Sequence, residues 1–241
     1  MIVEVKNLVA GYGQRVLIRN LSFSVPAAAF VAIIGHNGAG KTTLFRAFQN
    51  KVAYQGQVLA KGHDLKHFPE ASGSGLLAYL PQKNIVGFPI KVQDLVVMGL
   101  FRKKRFFENY SAADYALAAD TLAQLQLSHL LDQDFTTLSG GEQQLVWLAQ
   151  LMLQDATTIL LDEPTQQLDV YYKSKVFSLL QDWVVKNGKT ILCITHDLQN
   201  LPPMQGYLLN LSKPNPILEA ITPESVQENQ TFLEAGRQPV L

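Results

Sequence analysis

The chain of 241 residues has one cysteine, Cys193, inside the apolar run "TILCIT". A single thiol excludes a disulfide framework and a cysteine-ligated zinc or iron–sulfur site within one copy, and its apolar setting reads as a buried thiol in a reducing compartment. Net charge is lacking as well: 20 Lys and Arg balance 20 Asp and Glu. No overall field therefore draws the chain to nucleic acid or to an anionic membrane, and no nucleic-acid partner is expected. Long apolar runs are also missing, since no window approaches the ~20 residues of a membrane span. The opening "MIVEVKNLVAGYG" alternates like a strand and lacks a charged-then-apolar leader. Neither export by a leader nor direct insertion into a membrane is expected.

What is present is apolar material, 47% of the residues, enough for a full core in one larger domain over 1–241 with subdivisions. "MIVEVKNLVA" and "VLIRNLSFSV" alternate as strands, and "FVAIIG" reads as a fully buried one. From about residue 92 to 155, "VQDLVVMGL", "SAADYALAADTLAQLQL" and "EQQLVWLAQLMLQ" carry helical spacing and predict a helical subdomain inserted into an α/β core. "TTILLD", a helix near 170–187, "KTILCIT" and "GYLLNL" then alternate as in a parallel sheet. "KPNPILEAITPE" reads as a loop before a last short helix.

"GHNGAGKT", Gly35 to Thr42, follows the buried strand and opens a helix. Its glycines let backbone N–H groups close around phosphate oxygens, Lys41 can reach β and γ phosphates, and the Thr42 hydroxyl can bind Mg²⁺. Asn37, Gly38, Ala39, Gly40 and Thr43 complete the loop and its first turn. "TTILLDEP" sets Asp162 and Glu163 at the end of an apolar strand, the edge where α/β sheets bind ligands. One carboxylate suits a metal and its water shell, the other an attacking water; Asp162 is assigned to the metal and Glu163 to the base. In "LSGGEQQLVWLAQ", Ser139 and Glu142 form a capping box that starts a helix at Gly140. Gly140 and Gly141 clear side chains from a helix end that attracts anions; a well-capped helix alone accounts for Ser139 and Glu142 but not for two successive glycines.

Together these motifs resemble the nucleotide-binding subunit of an ATP-binding cassette (ABC) transporter, whose signature L-S-G-G-x-Q is matched by Leu138 to Gln143. The resemblance covers roughly residues 2–212. It implies an α/β fold with a P-loop NTPase core of mostly parallel sheet, an N-terminal antiparallel β subdomain and an inserted helical subdomain. It implies ATP and Mg²⁺ as ligands, and a second copy of the chain whose Ser139, Gly140, Gly141 and Glu142 cap the ATP held in the first. Tyr12 resembles the adenine-stacking aromatic, Gln82 the glutamine that touches Mg²⁺ and water, Asp169 the aspartate at the dimer contact, and His196 the switch histidine at the γ-phosphate. Lys41, Glu163 and His196 are then the catalytic set, and Thr42, Gln82 and Asp162 the metal set. Integral membrane transporter subunits are the implied partners, with the chain peripheral on the cytoplasmic face of the membrane.

Departures from the family pattern are local. Leu145 and Gln150 stand where arginines are common, Trp147 is bulkier than usual, Gln166 and Gln167 precede Leu168 and Asp169, and "PAAAF" replaces a Gly turn. "LSKPNPILEA" stands where a tight Gly-containing hairpin is common, which puts the last strand in question. "NIVGFPIKVQDLVVMG", residues 84–99, resembles a stretch of metal-chelate importers and is either a seat for a membrane partner or helical core. "FRKKRFFEN" reads as a solvated helix end or loop, with a seat near anionic lipid or nucleic acid as the alternative. The competing functions are a soluble ABC-type ATPase of iron–sulfur cluster assembly and a nucleotide-gated docking module.

Overall fold

The computed structural model describes residues 1–68, 75–105 and 107–236. Strands β1 (Val3–Tyr12) and β2 (Arg15–Val25) pair antiparallel across the turn at Gly13. Their alternation buries Val3, Val5, Leu8 and Ala10 on one strand and Ile18, Leu21, Phe23 and Val25 on the other. One wet and one dry face is the usual state of an antiparallel sheet. Strand β4 (Tyr54–Ala60) lines the other side of β1 and carries the two-residue β5 (His63–Asp64), giving the order β2-β1-β4-β5.

The second sheet is built on β3 (Phe30–Ile34), whose five residues are all buried. With β6 (Leu77–Leu80), β7 (Thr158–Asp162), β8 (Thr190–Ile194), β9 (Gly206–Asn210) and β10 (Leu218–Ala220) it forms the order β10-β9-β3-β8-β7-β6. All pairings are parallel except β9 with β10. Because side chains alternate across a strand, β3 divides between two cores. Val31 and Ile33 face Leu44, Phe45 and Phe48 of α1 (Lys41–Phe48) and the antiparallel sheet. Phe30 and Ala32 face the opposite way, toward Phe177 and Leu180 of α5 (Val170–Val185).

Helices α2 (Val92–Val97), α3 (Ala112–Gln124) and α4 (Gly140–Leu153) lie between β6 and β7 in the chain and pack on one another through Val96, Leu122 and Leu148. Leu145 belongs to that packing at 1% exposure, and the Gln150 side-chain amide donates to the Leu95 carbonyl at 3.1 Å, tying α4 to α2. At both positions the helix uses intramolecular packing where an arginine is common. Trp147 stacks edge-on against Phe135 at 5.4 Å. Helix α6 (Pro223–Ala235) closes the described chain behind a Thr222–Ser225 capping box.

The structure differs from the sequence reading in its short strands. β4, β5 and β6 were not expected, and the stretch expected as a Pro-rich loop contains β10, which completes a hairpin with β9 despite the missing glycine. Ala28, in the turn "PAAAF", takes φ 51. The position therefore requires the left-handed conformation that glycine adopts cheaply. In the basic run at 101–109, Lys104 pairs with Asp114 and Glu108, so part of its charge is neutralised within the chain; Phe106 of that run lies outside the described residues.

Candidate nucleotide site

Gly35, Gly38 and Gly40 take φ of 150, 85 and 94 between β3 and α1. Gly40 is also crowded, since a Cβ there would lie 2.8 Å from Ile18. Helix α1 begins at Lys41 with no side-chain cap, which leaves its first N–H groups for another acceptor. Asn37, Gly38 and Thr42 are exposed at the loop surface, Ala39 is half-buried, and Thr43 is buried. Lys41 is only 7% exposed, and its Nζ turns back to donate to the Gly35 carbonyl at 2.7 Å and the His36 carbonyl at 3.2 Å. Burial lowers the Lys41 pKa, while Glu163 and Asp162 pull it back up.

Those two carboxylates come from the carboxyl end of β7 beside the loop. Asp162 is 4% exposed and receives a hydrogen bond from the Tyr79 hydroxyl at 3.4 Å, with the Thr42 hydroxyl near enough to favour its charged form. Burial raises its pKa, partly offset by those donors. The Tyr79 hydroxyl is pushed up to about 12 by burial and by Asp162. Glu163 takes φ 52, a left-handed conformation that is costly for a residue with a Cβ. It is held by its N–H on the Ile194 carbonyl at 3.0 Å. The turn aims its carboxylate between two loops: Gln82 Nε2 donates to Oε2 at 2.9 Å and His196 Nε2 lies 3.2 Å from Oε1. Residues 82, 163 and 196, far apart in the chain, thus meet at one sheet edge.

Tyr12 stands 43% exposed at the end of β1. Arg46 of α1 donates to its hydroxyl at 2.8 Å and lies 5.7 Å from the ring centroid. Neither Arg46 nor Tyr79 was singled out in the sequence; the only signal was a charge in the otherwise neutral stretch Thr42–Gln49 and a tyrosine two residues before Pro81.

The second group of expected residues lies elsewhere. Ser139 caps α4, with its N–H on Glu142 Oε2 at 2.9 Å and its hydroxyl on the same oxygen at 2.6 Å. Asp169 caps α5 by accepting the Tyr172 N–H at 2.9 Å. Among the described residues, no hydrogen bond joins Ser139, Gly140, Gly141, Glu142 or Asp169 to the Gly35–Thr42 loop. The two glycines differ in environment. A Cβ on Gly140 would meet nothing within 4 Å, whereas one on Gly141 would lie 2.4 Å from the Tyr172 ring. Gly141 therefore has a packing reason that the sequence reading lacked, and only Gly140 is left without one inside the chain.

The loop glycines, a retracted lysine and a carboxylate pair suit a triphosphate. Thr42 and Asp162 set two hard oxygen donors side by side, which fits Mg²⁺, a cation that prefers oxygen ligands.

Comparison with known proteins gives the same direction. The family model described as ABC transporter matches residues 18–166. The manganese transport system ATP-binding protein MntB of Halalkalibacterium halodurans is 32% identical over 231 residues, covering 93% of this chain and 90% of that protein. The ferric enterobactin transport ATP-binding protein FepC of Escherichia coli is 30% identical over 207 residues, covering 86% of this chain and 76% of that one. Among solved structures, an inward-facing metal-chelate type ABC transporter superposes with a TM-score of 0.82 at 28% identity, over 97% of this chain and 89% of its own.

Proposed function

Because the chain belongs to the ABC transporter family as an ATP-binding, ATP-hydrolysing subunit, we propose that two copies close around two ATP molecules and drive import of a metal chelate or metal ion through separate membrane subunits. The observation that carries the hydrolytic part is the meeting of Gln82, Glu163 and His196 beside the Gly35–Thr42 loop. Lys41 leaves the Gly35 and His36 carbonyls for the β and γ phosphates, and the backbone donors of residues 37–43 hold the phosphate oxygens. Thr42, Asp162 and Gln82 would hold Mg²⁺, which would neutralise phosphate charge. Glu163, fixed on both oxygens by Gln82 and His196, accepts the proton of the attacking water. His196 serves in addition as the switch residue that contacts the γ-phosphate. Tyr12, steadied by Arg46, offers a flat face to adenine.

The other half of each site comes from the second copy: the Ser139–Gly140–Gly141 end of α4 caps the γ-phosphate, and Asp169 lies at the contact between copies. Glu142 serves by fixing Ser139.

Transport through membrane partners is supported by the stretch after Gln82. Val92, Leu95, Val96 and Val97 are buried, yet Ile85 is 88% and Phe88 61% exposed. The segment thus divides into core and an exposed apolar seat for a partner helix. Among the described residues no helix is long and apolar enough to cross a membrane. The metal-chelate cargo is supported by the transport names of MntB and FepC. Those names, with the exposed Ile85 and Phe88, favour transport over a soluble iron–sulfur assembly role; co-purification with soluble scaffold proteins in place of membrane proteins would reverse that preference.

Glu163→Gln tests the centre directly. It keeps the hydrogen-bonding shape and loses the base, so ATP binding persists while turnover drops by about 10²- to 10⁴-fold. Undiminished steady-state ATPase would remove Glu163 as the base.

A further inference from the structure

The phosphate loop is anchored from outside as well as by its own turns. His36, directly after Gly35, meets residues 176 and 197 positions further along the chain. Its backbone N–H donates to Ser212 Oγ at 2.8 Å, its ring Nδ1 lies 3.0 Å from the same oxygen, and its Nε2 lies 2.9 Å from the Leu233 carbonyl in the last turn of α6. A carbonyl oxygen only accepts, so Nε2 carries the proton. In the neutral imidazole Nδ1 then accepts from the Ser212 hydroxyl, whose oxygen in return accepts the His36 backbone N–H. Every polar atom of the contact is satisfied.

A second route joins the same two elements. Asn229 of α6 and Asn210 at the end of β9 are both 0% exposed. Asn210 Nδ2 donates to Asn229 Oδ1 at 2.9 Å, and Asn210 Oδ1 accepts the Ser212 N–H at 2.9 Å. Buried, satisfied polar networks of this kind fix geometry. The Phe232 ring flanks His36 at 6.4 Å, and a Cβ on Gly236 would fall 2.7 Å from the imidazole. On its other side the His36 carbonyl accepts from Lys41 Nζ. A loop with three glycines at positive φ is conformationally permissive, and a tie that holds it in one shape lowers the ordering cost of binding.

We propose that His36 is a positioning residue through which the C-terminal helix α6 sets the shape of the phosphate loop, so that disturbing α6 weakens ATP binding. The contact ranks as positioning because His36 acts through the loop backbone and Lys41. The inference rests on the assignment of the triphosphate to Gly35–Thr42, which Lys41→Ala tests separately by loss of binding.

The experiment measures the Kd of the full chain for a non-hydrolysable ATP analogue with Mg²⁺, alongside KM, kcat and Tm. His36→Ala and Gly236→Ala each raise Kd about three- to ten-fold, the range of one hydrogen bond's net worth. Saturated kcat stays within about two-fold, since the loss falls on binding. Gly236→Ala adds nothing in the His36→Ala background, because the imidazole that its new Cβ would meet is gone. His36→Gln, which can still offer an amide N–H to the Leu233 carbonyl, recovers most of the affinity. Unchanged Kd in His36→Ala, an equal effect of Gly236→Ala in both backgrounds, or a lowered Tm with unchanged Kd would overturn the tie while leaving the phosphate assignment intact. Normal binding by Lys41→Ala would overturn both.

Discussion

The Gly35–Thr42 loop and the Ser139–Gly141 turn both set glycine at the start of a helix, yet their surroundings are opposite. The first is enclosed: Lys41 is buried within it, and Asp162 and Glu163 face it from β7. The second is open, with Ser139 and Gly140 exposed and nothing within 4 Å of a Cβ placed on Gly140. Its carboxylate is already engaged, since the Ser139 hydroxyl and N–H lower the Glu142 pKa. The enclosed turn thus has its own cation, Lys41, within the chain. The exposed helix end has donors but, among the described residues, no opposing wall from the same chain.

The largest effect that would break this contrast comes from Gly140→Asp. Space for the side chain is available and Gly140 does not require positive φ. A carboxylate in the first turn stabilises the helix by about 0.3–1 kcal/mol, so Tm without nucleotide is unchanged or slightly higher. Against a phosphate from the second copy, like charges cost several kcal/mol, on the order of 10²-fold at about 1.4 kcal/mol per factor of ten. Sedimentation in the Glu163→Gln background reads it: ATP assembles the single variant into dimers and leaves the Gly140→Asp double variant monomeric. Dimers in both would show that the exposed end meets no nucleotide.

Gly141→Ala is the matched control one residue along. Its new Cβ would meet the Tyr172 ring at 2.4 Å, and overpacking of this sort costs about 1–3 kcal/mol. The loss appears as reduced stability of the chain alone, with or without ATP. Adding Tyr172→Ala restores room for the methyl, so the double variant loses less than the two single effects combined. An unaltered Tm in Gly141→Ala would return this glycine to the phosphate.

Those neighbouring glycines also mark how far the sequence could be read. Gly35–Thr42, Asp162–Glu163 and the Ser139–Glu142 box were legible because each is contiguous, and its chemistry follows from residue types at short spacing. The long strands β1 and β2 were legible from alternation, and the five-residue strands β3, β7 and β8 from unbroken apolar runs. The strand β6 has only four residues and β5 two, too few for a period to register. Tyr172 against Gly141, Arg46 on Tyr12 and α6 on His36 are contacts of packed elements, and no local pattern encodes which distant side chain fills a space. The meeting of Gln82, Glu163 and His196 was expected from family resemblance and not from their spacing.

The smallest predicted effect concerns the scaffold of the enclosed turn. That side of the molecule carries left-handed backbone at Ala28, just before β3, as well as at Glu163. At Glu163 the conformation aims a functional carboxylate, so relieving it would cost activity. Ala28 bears no such duty: its N–H donates to the Thr190 hydroxyl at 3.1 Å, a bond glycine can keep. Left-handed φ costs a non-glycine residue about 1–2 kcal/mol, against about 0.5–1 kcal/mol of extra unfolded-state entropy for glycine. Ala28→Gly is therefore expected to stabilise by about 0.5 kcal/mol, raising Tm by roughly 1–2 °C for a chain of this size, with ATP affinity unchanged. A fall in Tm would mean that the Ala28 methyl contributes packing worth more than the conformational strain it imposes.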